Sequence, residues 1–474
     1  MSPKKDKTIV IVGGGLSGLS AAYHLVKKIR GNHGTGSVIL IEKERRFGGK
    51  AWTIKEDGFL VEAGPDSFIT TKPFALKLCE ELRLSERIIG TNPRARKVFI
   101  LWKGRLRAVP HAFLSFRPDL FSVLNTDLLS WRGKWAALTA PFKHYDAPQE
   151  DVSVRDFFEK LLGKEATERI VLPLVNGIYG AAGQEVSVRW TLPTLWNLFR
   201  QPGKKTLLRL LSSALRPANR SGRSFFVTLL GGIGELVDVL AEEVAPYITI
   251  IFDSAQTLIR TDGSYELTLS SGQTITADGV ILAANAWEVA ALMKHLDGDL
   301  AKSLAALPYR SSLTISLAFH SAQIAQPLEG SGFLIPEAEG SFLSGCTFSS
   351  VKFPGRAPEG FHLLRCFVAL GDPSATNDQQ EDQIVRKALN HLAPILQIKG
   401  QPIKWWLFRW EKALPLYRVG HHLFLAEVEA SLTRLTGLAF AGNWLRGIGI
   451  PDCLASGKEA ADKVWGDLYP NDRT

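Results

Sequence analysis

Cysteine is scarce in this chain, with four in 474 residues, and no two of them form a CxxC pair. Cys79, Cys346, Cys366 and Cys453 lie too far apart for a disulfide framework or a cysteine-based zinc site, and they read as reduced, mostly buried thiols. The ten histidines contain no HExxH or related spacing. His421 and His422 are adjacent, so on any regular element they point apart and make a poor metal pair; no metal is expected. No apolar run is long enough to cross a bilayer. The start, Met1-Ser2-Pro3-Lys4-Lys5-Asp6-Lys7, runs into an apolar strand without the apolar stretch and cleavage site of a secretory signal, so the expected location is the cytoplasm. Zinc-finger and RRM signatures are missing too. A net charge of +9 and a pI of about 9.3 therefore point to anionic lipids or acidic small molecules ahead of nucleic acid.

What is present is an ordinary globular composition, 45% hydrophobic and 22% charged, on a chain long enough for two or three domains. Thr8-Ile9-Val10-Ile11-Val12 is a β-branched run of the kind that forms a buried parallel strand. Gly13-Gly14-Gly15-Leu16-Ser17-Gly18 follows, then residues 19–28 with helical periodicity. A second strand, Ser37-Val38-Ile39-Leu40-Ile41, ends at Glu42. In this βαβ context Gly13 permits a tight turn, Gly15 lets backbone approach a pyrophosphate, and Gly18 lets helix and strand pack closely. The helix N-terminus offers free N–H groups and a positive dipole end to phosphates. Glu42 is placed to accept from ribose hydroxyls.

The next residues choose the cofactor. Lys43-Glu44-Arg45-Arg46-Phe47-Gly48-Gly49-Lys50 puts a second diglycine just past the ribose-binding acid, which resembles the extended motif of FAD-dependent amine oxidases, phytoene desaturases and porphyrinogen oxidases. Lys50 stands where those families carry Arg, keeping the charge without the planar fork. Near the other end, Gly442-Asn443-Trp444-Leu445-Arg446-Gly447-Ile448-Gly449-Ile450-Pro451-Asp452-Cys453 lets backbone pass close to a flat ring. Pro451 then opens a helix. A helix N-terminus at a flavin's pyrimidine edge would stabilise the negative charge of the reduced ring.

The fold class expected is α/β. A discontinuous Rossmann-like FAD-binding domain (7–72, 225–292 and 430–474) surrounds an α+β substrate-binding domain (73–110 and 293–429) and an inserted, mainly helical domain (111–224). The helical domain carries an aromatic and basic stretch at 190–223. That stretch reads either as a helical layer with a solvated charged face or as a peripheral contact with the inner face of a membrane or with a partner enzyme.

Further segments carry a narrower resemblance, in order along nearly the whole chain. Glu62-Ala63-Gly64-Pro65-Asp66-Ser67-Phe68, Pro173-Leu174-Val175-Asn176-Gly177-Ile178-Tyr179-Gly180, Leu230-Gly231-Gly232 and Arg409-Trp410-Glu411-Lys412-Ala413-Leu414-Pro415 resemble the porphyrinogen oxidases of haem biosynthesis. The bacterial type that oxidises coproporphyrinogen III is the nearer likeness, and the organellar type acting on protoporphyrinogen IX shares most motifs. The resemblance implies non-covalent FAD, a six-electron oxidation in three two-electron steps, and reoxidation by oxygen to give hydrogen peroxide. Hydride leaves a methylene bridge for the flavin, so no general base is required and no catalytic side chain is named.

By the same resemblance the cofactor-binding residues are Gly13, Gly14, Gly15, Leu16, Ser17, Gly18, Glu42, Lys43, Gly49, Lys50, Ala63, Gly64, Pro65, Gln256, Gly442, Asn443, Gly449, Ile450 and Pro451. Gln256 takes a position where relatives carry Val, with a backbone contact to adenine that survives the change. Lys72, Arg96 and Lys97 are candidate propionate partners, and Asn176, Gly177 and Ile178 candidate walls of the substrate cavity. An amine oxidase or carotenoid desaturase, a non-catalytic flavin or porphyrin carrier, and an NAD dehydrogenase are the rival readings.

Overall fold

The computed structural model describes residues 6–31, 36–111, 113, 119–142, 144–145, 150–180, 183, 185–200, 205–206, 224–369 and 380–470. Strand β1 (Lys7–Val12), helix α1 (Leu16–Gly31) and strand β2 (Gly36–Glu42) form the first βαβ unit. They sit inside a five-stranded parallel sheet whose strands run Thr249–Phe252, β2, β1, Gly279–Leu282, Leu438–Phe440. The sheet thus gathers strands from both ends of the chain and from its middle.

Alternation along β1 explains how it is buried on both faces. Ile9 and Ile11 pack with Leu19 and Leu25 of α1 and with Leu454 and Val464 of the C-terminal helix Ile450–Leu468. Val10 and Val12 face the other way, into Leu258, Tyr265 and Leu267. Those three belong to an antiparallel sheet of Ala255–Thr261, Ser264–Leu269 and Thr274–Ala277. The turn joining its last two strands includes Gly272, at φ 86°.

A seven-stranded mixed sheet forms the second body, in the order Lys404–Pro415, Tyr309–His320, Phe361–Val368, Leu343–Phe348, Gly332–Leu334, Val98–Trp102, Arg105–Ala108. Helix Glu381–Leu396 covers one face through Ile384, Leu389 and Leu392. Between residues 119 and 200 the described chain is mainly helical, its one strand being His144–Tyr145, which pairs with Lys205–Thr206. Most of the basic stretch read as either a solvated helical layer or a peripheral membrane contact, 201–204 and 207–223, lies outside the described residues.

Three helices pack differently from the expected division. Helix Phe74–Glu81, assigned above with the substrate region, buries Ala75, Leu78 and Cys79 in the core beneath the parallel sheet. Leu300 and Val428 do the same on that sheet's other face. Apolar helix faces bury wherever a sheet face is open, and sequence position does not restrict them to one layer.

Candidate functional site

The turn after β1 is built as its glycines require. Gly13 has φ 107°, a conformation L side chains rarely adopt, and its N–H donates to the Ile41 carbonyl at 2.8 Å. A Cβ on Gly18 would lie 1.8 Å from the Gly13 oxygen, whereas one on Gly15 would meet nothing within 4 Å. Backbone is therefore packed tight behind the turn and left open in front of it. Glu42 is buried and accepts from the N–H of Gly14 at 2.6 Å and of Glu44 at 2.8 Å. These bonds fix its carboxylate at the end of β2.

In front of the turn is a cleft of about 1870 Å³ running between the two sheets and along the helical layer. Gly13, Gly15, Leu16, Ser17, Glu42, Lys43, Gly49, Lys50, Ala63, Gly64, Pro65, Gln256, Gly442, Asn443, Gly449, Ile450 and Pro451 all line it. Gly14 and Gly18 stand behind the wall. The Lys50 amine donates to Asn285 Oδ1 at 2.7 Å, and burial lowers its pKa from the ordinary lysine value. Lys43 pairs instead with Glu288 at 2.6 Å. Gln256 is the bulged residue between Ala255 and Thr257, outside the ladder with the neighbouring strand, so its backbone is open to a ligand. Gly449 caps the C-terminal helix and Pro451 lies in its first turn.

The candidate substrate residues divide. Asn176, Gly177 and Ile178, on helix Leu172–Tyr179, line the cleft, as does Lys72. The Lys72 ammonium is already engaged, donating to both carboxylate oxygens of Asp452 at 2.7 Å. Arg96 and Lys97 do not border the cleft: both are exposed at the start of strand Val98–Trp102, and Lys97 pairs with Glu329 at 3.0 Å. That strand lies near the far edge of the seven-stranded sheet, which carries its leading residues away from the cavity.

Sequence reasoning missed a charged group in the wall. Lys352 donates to Asp66 Oδ2 at 2.7 Å, and Ser67 Oγ donates to Asp66 Oδ1 at 2.6 Å. Arg365, from strand Phe361–Val368, joins them. Burial works against ionisation of Asp66, yet Lys352 and Arg365 together bring its carboxyl down to about 2. Behind it, burial pushes Glu62 up to about 7, even though Glu62 accepts from Thr53 Oγ1 at 2.7 Å and the Ile233 N–H at 2.9 Å. Asp66 was visible within its motif. Lys352 and Arg365 sit in no recognisable pattern, so no local signal could have found them.

Two other side chains are placed by packing. Trp444 is fully buried among Phe424 and Phe440, its indole N–H donating to the Ala284 carbonyl at 3.0 Å, and it takes no part in the cleft wall. Burial pushes the Cys453 thiol up to about 12, which leaves it a poor nucleophile at neutral pH.

Comparison with known proteins gives the family. The profile of the flavin containing amine oxidoreductases matches residues 16–465. A coproporphyrinogen III oxidase of Propionibacterium freudenreichii subsp. freudenreichii is 33% identical, over 96% of this chain and 90% of the relative. The coproporphyrinogen III oxidase of Bacillus subtilis (strain 168) is 29% identical, over 98% and 99%. A crystal structure from Exiguobacterium sp. 255-15, provisionally named a protoporphyrinogen oxidase, superposes with a TM-score of 0.84 at 29% identity, covering 97% of this chain and 98% of that one.

Proposed function

From the premise that the chain belongs to the flavin containing amine oxidoreductase family, we propose that it is an FAD-dependent oxidase of haem biosynthesis that converts coproporphyrinogen III to coproporphyrin III. The cleft carries this reading. Pockets for one drug-sized ligand measure roughly 300–1,000 Å³, and a cleft of about 1870 Å³ has room for a dinucleotide and a macrocycle together. The two glycine segments and the Asp66–Lys352–Arg365 group all line it. Protoporphyrinogen IX is the second candidate substrate, favoured by the name of the Exiguobacterium structure.

The residues present fit FAD. The open face of Gly15, the buried Lys50 amine and the N-terminus of α1 suit the pyrophosphate, and Glu42 suits the ribose hydroxyls. The free backbone at Gln256 suits adenine, and Gly449-Ile450-Pro451 at the start of the C-terminal helix suits the ring. Bound FAD supplies a two-electron acceptor, used three times per macrocycle and restored by oxygen with release of hydrogen peroxide. The protein's part is to hold the macrocycle against that acceptor and keep water out. Asn176, Gly177 and Ile178 supply one wall, and cationic side chains opposite them hold the carboxylates.

The described surface also supports peripheral contact with a membrane. Trp131 and Trp135, one helical turn apart, are 77% and 71% exposed, with Phe121 and Phe142 nearby in sequence and equally uncovered. Lys134 lies 5.0 Å from the centre of the Trp131 ring. Exposed aromatics with a basic neighbour are the composition of an interfacial anchor. No described helix is long and apolar enough to cross a membrane.

Parallel steady-state kinetics on coproporphyrinogen III, protoporphyrinogen IX and representative amines test the activity. Porphyrin formation with coproporphyrinogen preferred is expected. A preference for protoporphyrinogen would overturn the substrate, and peroxide from amines alone would overturn the reaction class.

A further inference from the structure

Arg365 is the least satisfied charged side chain in the cleft wall. It is only 6% exposed, yet among the described residues its one hydrogen bond is a long one, from Nη2 to the Ala63 carbonyl at 3.4 Å. Its Nε is buried with no partner among the described residues. The guanidinium carbon lies 5.1 Å from the centre of the Phe367 ring, and both residues border the cleft. A guanidinium presents five donors in a planar fork that matches a carboxylate, and burying it with most of them idle is costly.

The nearby charges do not neutralise it. Asp66, the closest carboxylate in effect, is taken by Lys352 and Ser67. Glu62 is bound to Thr53 and the Ile233 N–H, with Arg356 beside it. Lys352, Arg356 and Arg365 face Asp66 and Glu62, and Glu235, which also reaches Arg356, is paired with Arg87, so one cation is left in excess. Arg356 spends its guanidinium on Thr228 and the carbonyls of Leu229 and Leu230. Lys352 is held by Asp66. Lys72, the cation that sequence reasoning favoured, is matched by Asp452. The excess falls on Arg365.

We infer that Arg365 is a carboxylate anchor of the substrate cleft, whose guanidinium takes a propionate of the porphyrinogen through charge-assisted hydrogen bonds. The inference rests on the porphyrinogen reading above. It favours the substrate over the flavin because Arg365 belongs to the seven-stranded sheet, whose neighbouring residues Cys346, Thr347 and Phe367 also line the cleft. The glycine turns that suit the cofactor's phosphates belong to the other sheet.

The test compares wild type, Arg365→Gln and Arg365→Lys on coproporphyrinogen III and on its tetramethyl ester, which keeps the ring and loses the charges. Binding of the product coproporphyrin III and of its ester is followed alongside by fluorescence. A lost charge-assisted carboxylate contact raises KM by roughly 10- to 100-fold. Arg365→Gln is expected to show that rise for the acid with kcat nearly unchanged, and no rise for the ester. Arg365→Lys is expected to recover part of it. Equal effects on acid and ester, or none on either, would overturn the assignment. So would an unchanged KM with a lower kcat and a shifted flavin reduction potential, which would place Arg365 on the cofactor. Should Arg365→Gln not fold, wild type binding acid and ester equally tightly would also overturn it. A wild type that oxidises no porphyrinogen defeats the functional reading; a wild type that does, beside an unaltered Arg365→Gln, defeats only the anchor.

Discussion

Gly15 and Gly18 lie three residues apart in one turn, and alanine at each should break a different thing. At Gly18 the new Cβ would stand 1.8 Å from the Gly13 oxygen, against 3.4 Å for an ordinary contact. Backbone must move by more than an ångström to admit it, in the place where α1 leaves β1. Overpacking of this kind costs about 3 kcal/mol, and the flavin-free protein should melt several degrees lower. At Gly15 the same Cβ meets no atom within 4 Å, and this glycine is not among those with positive φ. Stability should hold or rise by up to about 1 kcal/mol, because alanine restricts the unfolded chain. The methyl group instead fills the space where a pyrophosphate would approach, so the FAD dissociation constant should rise roughly 10- to 100-fold, the worth of a charge-assisted hydrogen bond or two. Melting of the flavin-free proteins and titration of each with FAD, followed by quenching of flavin fluorescence, separate the two effects. Wild-type FAD affinity in Gly15→Ala would remove the open face of the turn from the phosphate site. Wild-type melting in Gly18→Ala would refute the packing argument.

Three further outcomes are expected. Lys72 is 40% exposed and tied to Asp452, so Lys72→Met should change stability by less than about 1 kcal/mol. Asp452→Asn frees the ammonium and should lower the KM for coproporphyrinogen, whereas Lys72→Met removes a cation already matched and should leave it nearly unchanged; a KM in Asp452→Asn equal to the wild type's would take Lys72 out of the substrate site. Burial lowers the pKa of His421 from 6.5 to about 4, partly opposed by its Nε2 bond to the Leu445 carbonyl. The unfolded ring takes up its proton first as the solution is acidified, so this contribution is whole above pH 6.5 and about 3 kcal/mol is lost as pH falls to 4. His421→Phe should flatten that slope in melting scans, and a profile as steep as the wild type's would show that another group titrates. Finally, Trp131→Ser with Trp135→Ser should abolish co-sedimentation with vesicles rich in anionic lipid while leaving kcat intact; retained binding would locate the contact elsewhere.

Much of the site was legible because its signals are local. The spacing of Gly13, Gly15 and Gly18, the acid at Glu42, and Pro451 after Gly449 each reflect a backbone demand met within a few residues. The β-branched run of β1 likewise foretold a buried parallel strand. Charge pairing was not legible in this way. Lys72 meets Asp452 across 380 residues of chain, and Lys352 meets Asp66 across 286. An isolated lysine or arginine reads the same whether it is solvated, paired or idle, since the partner that decides its energy comes from a distant element. Sequence likeness therefore favoured Lys72, Arg96 and Lys97 as the anionic substrate's partners. The tertiary structure occupied the first, turned the other two outward at the edge of a sheet, and left Arg365 with unfilled donors in the wall. The chain by itself determined a tight glycine turn between β1 and α1 and a second glycine segment ahead of the C-terminal helix. Only the packing of two sheets against each other decided which cation beside them remains unmatched, because burial sets the cost of a charge and burial belongs to the whole fold.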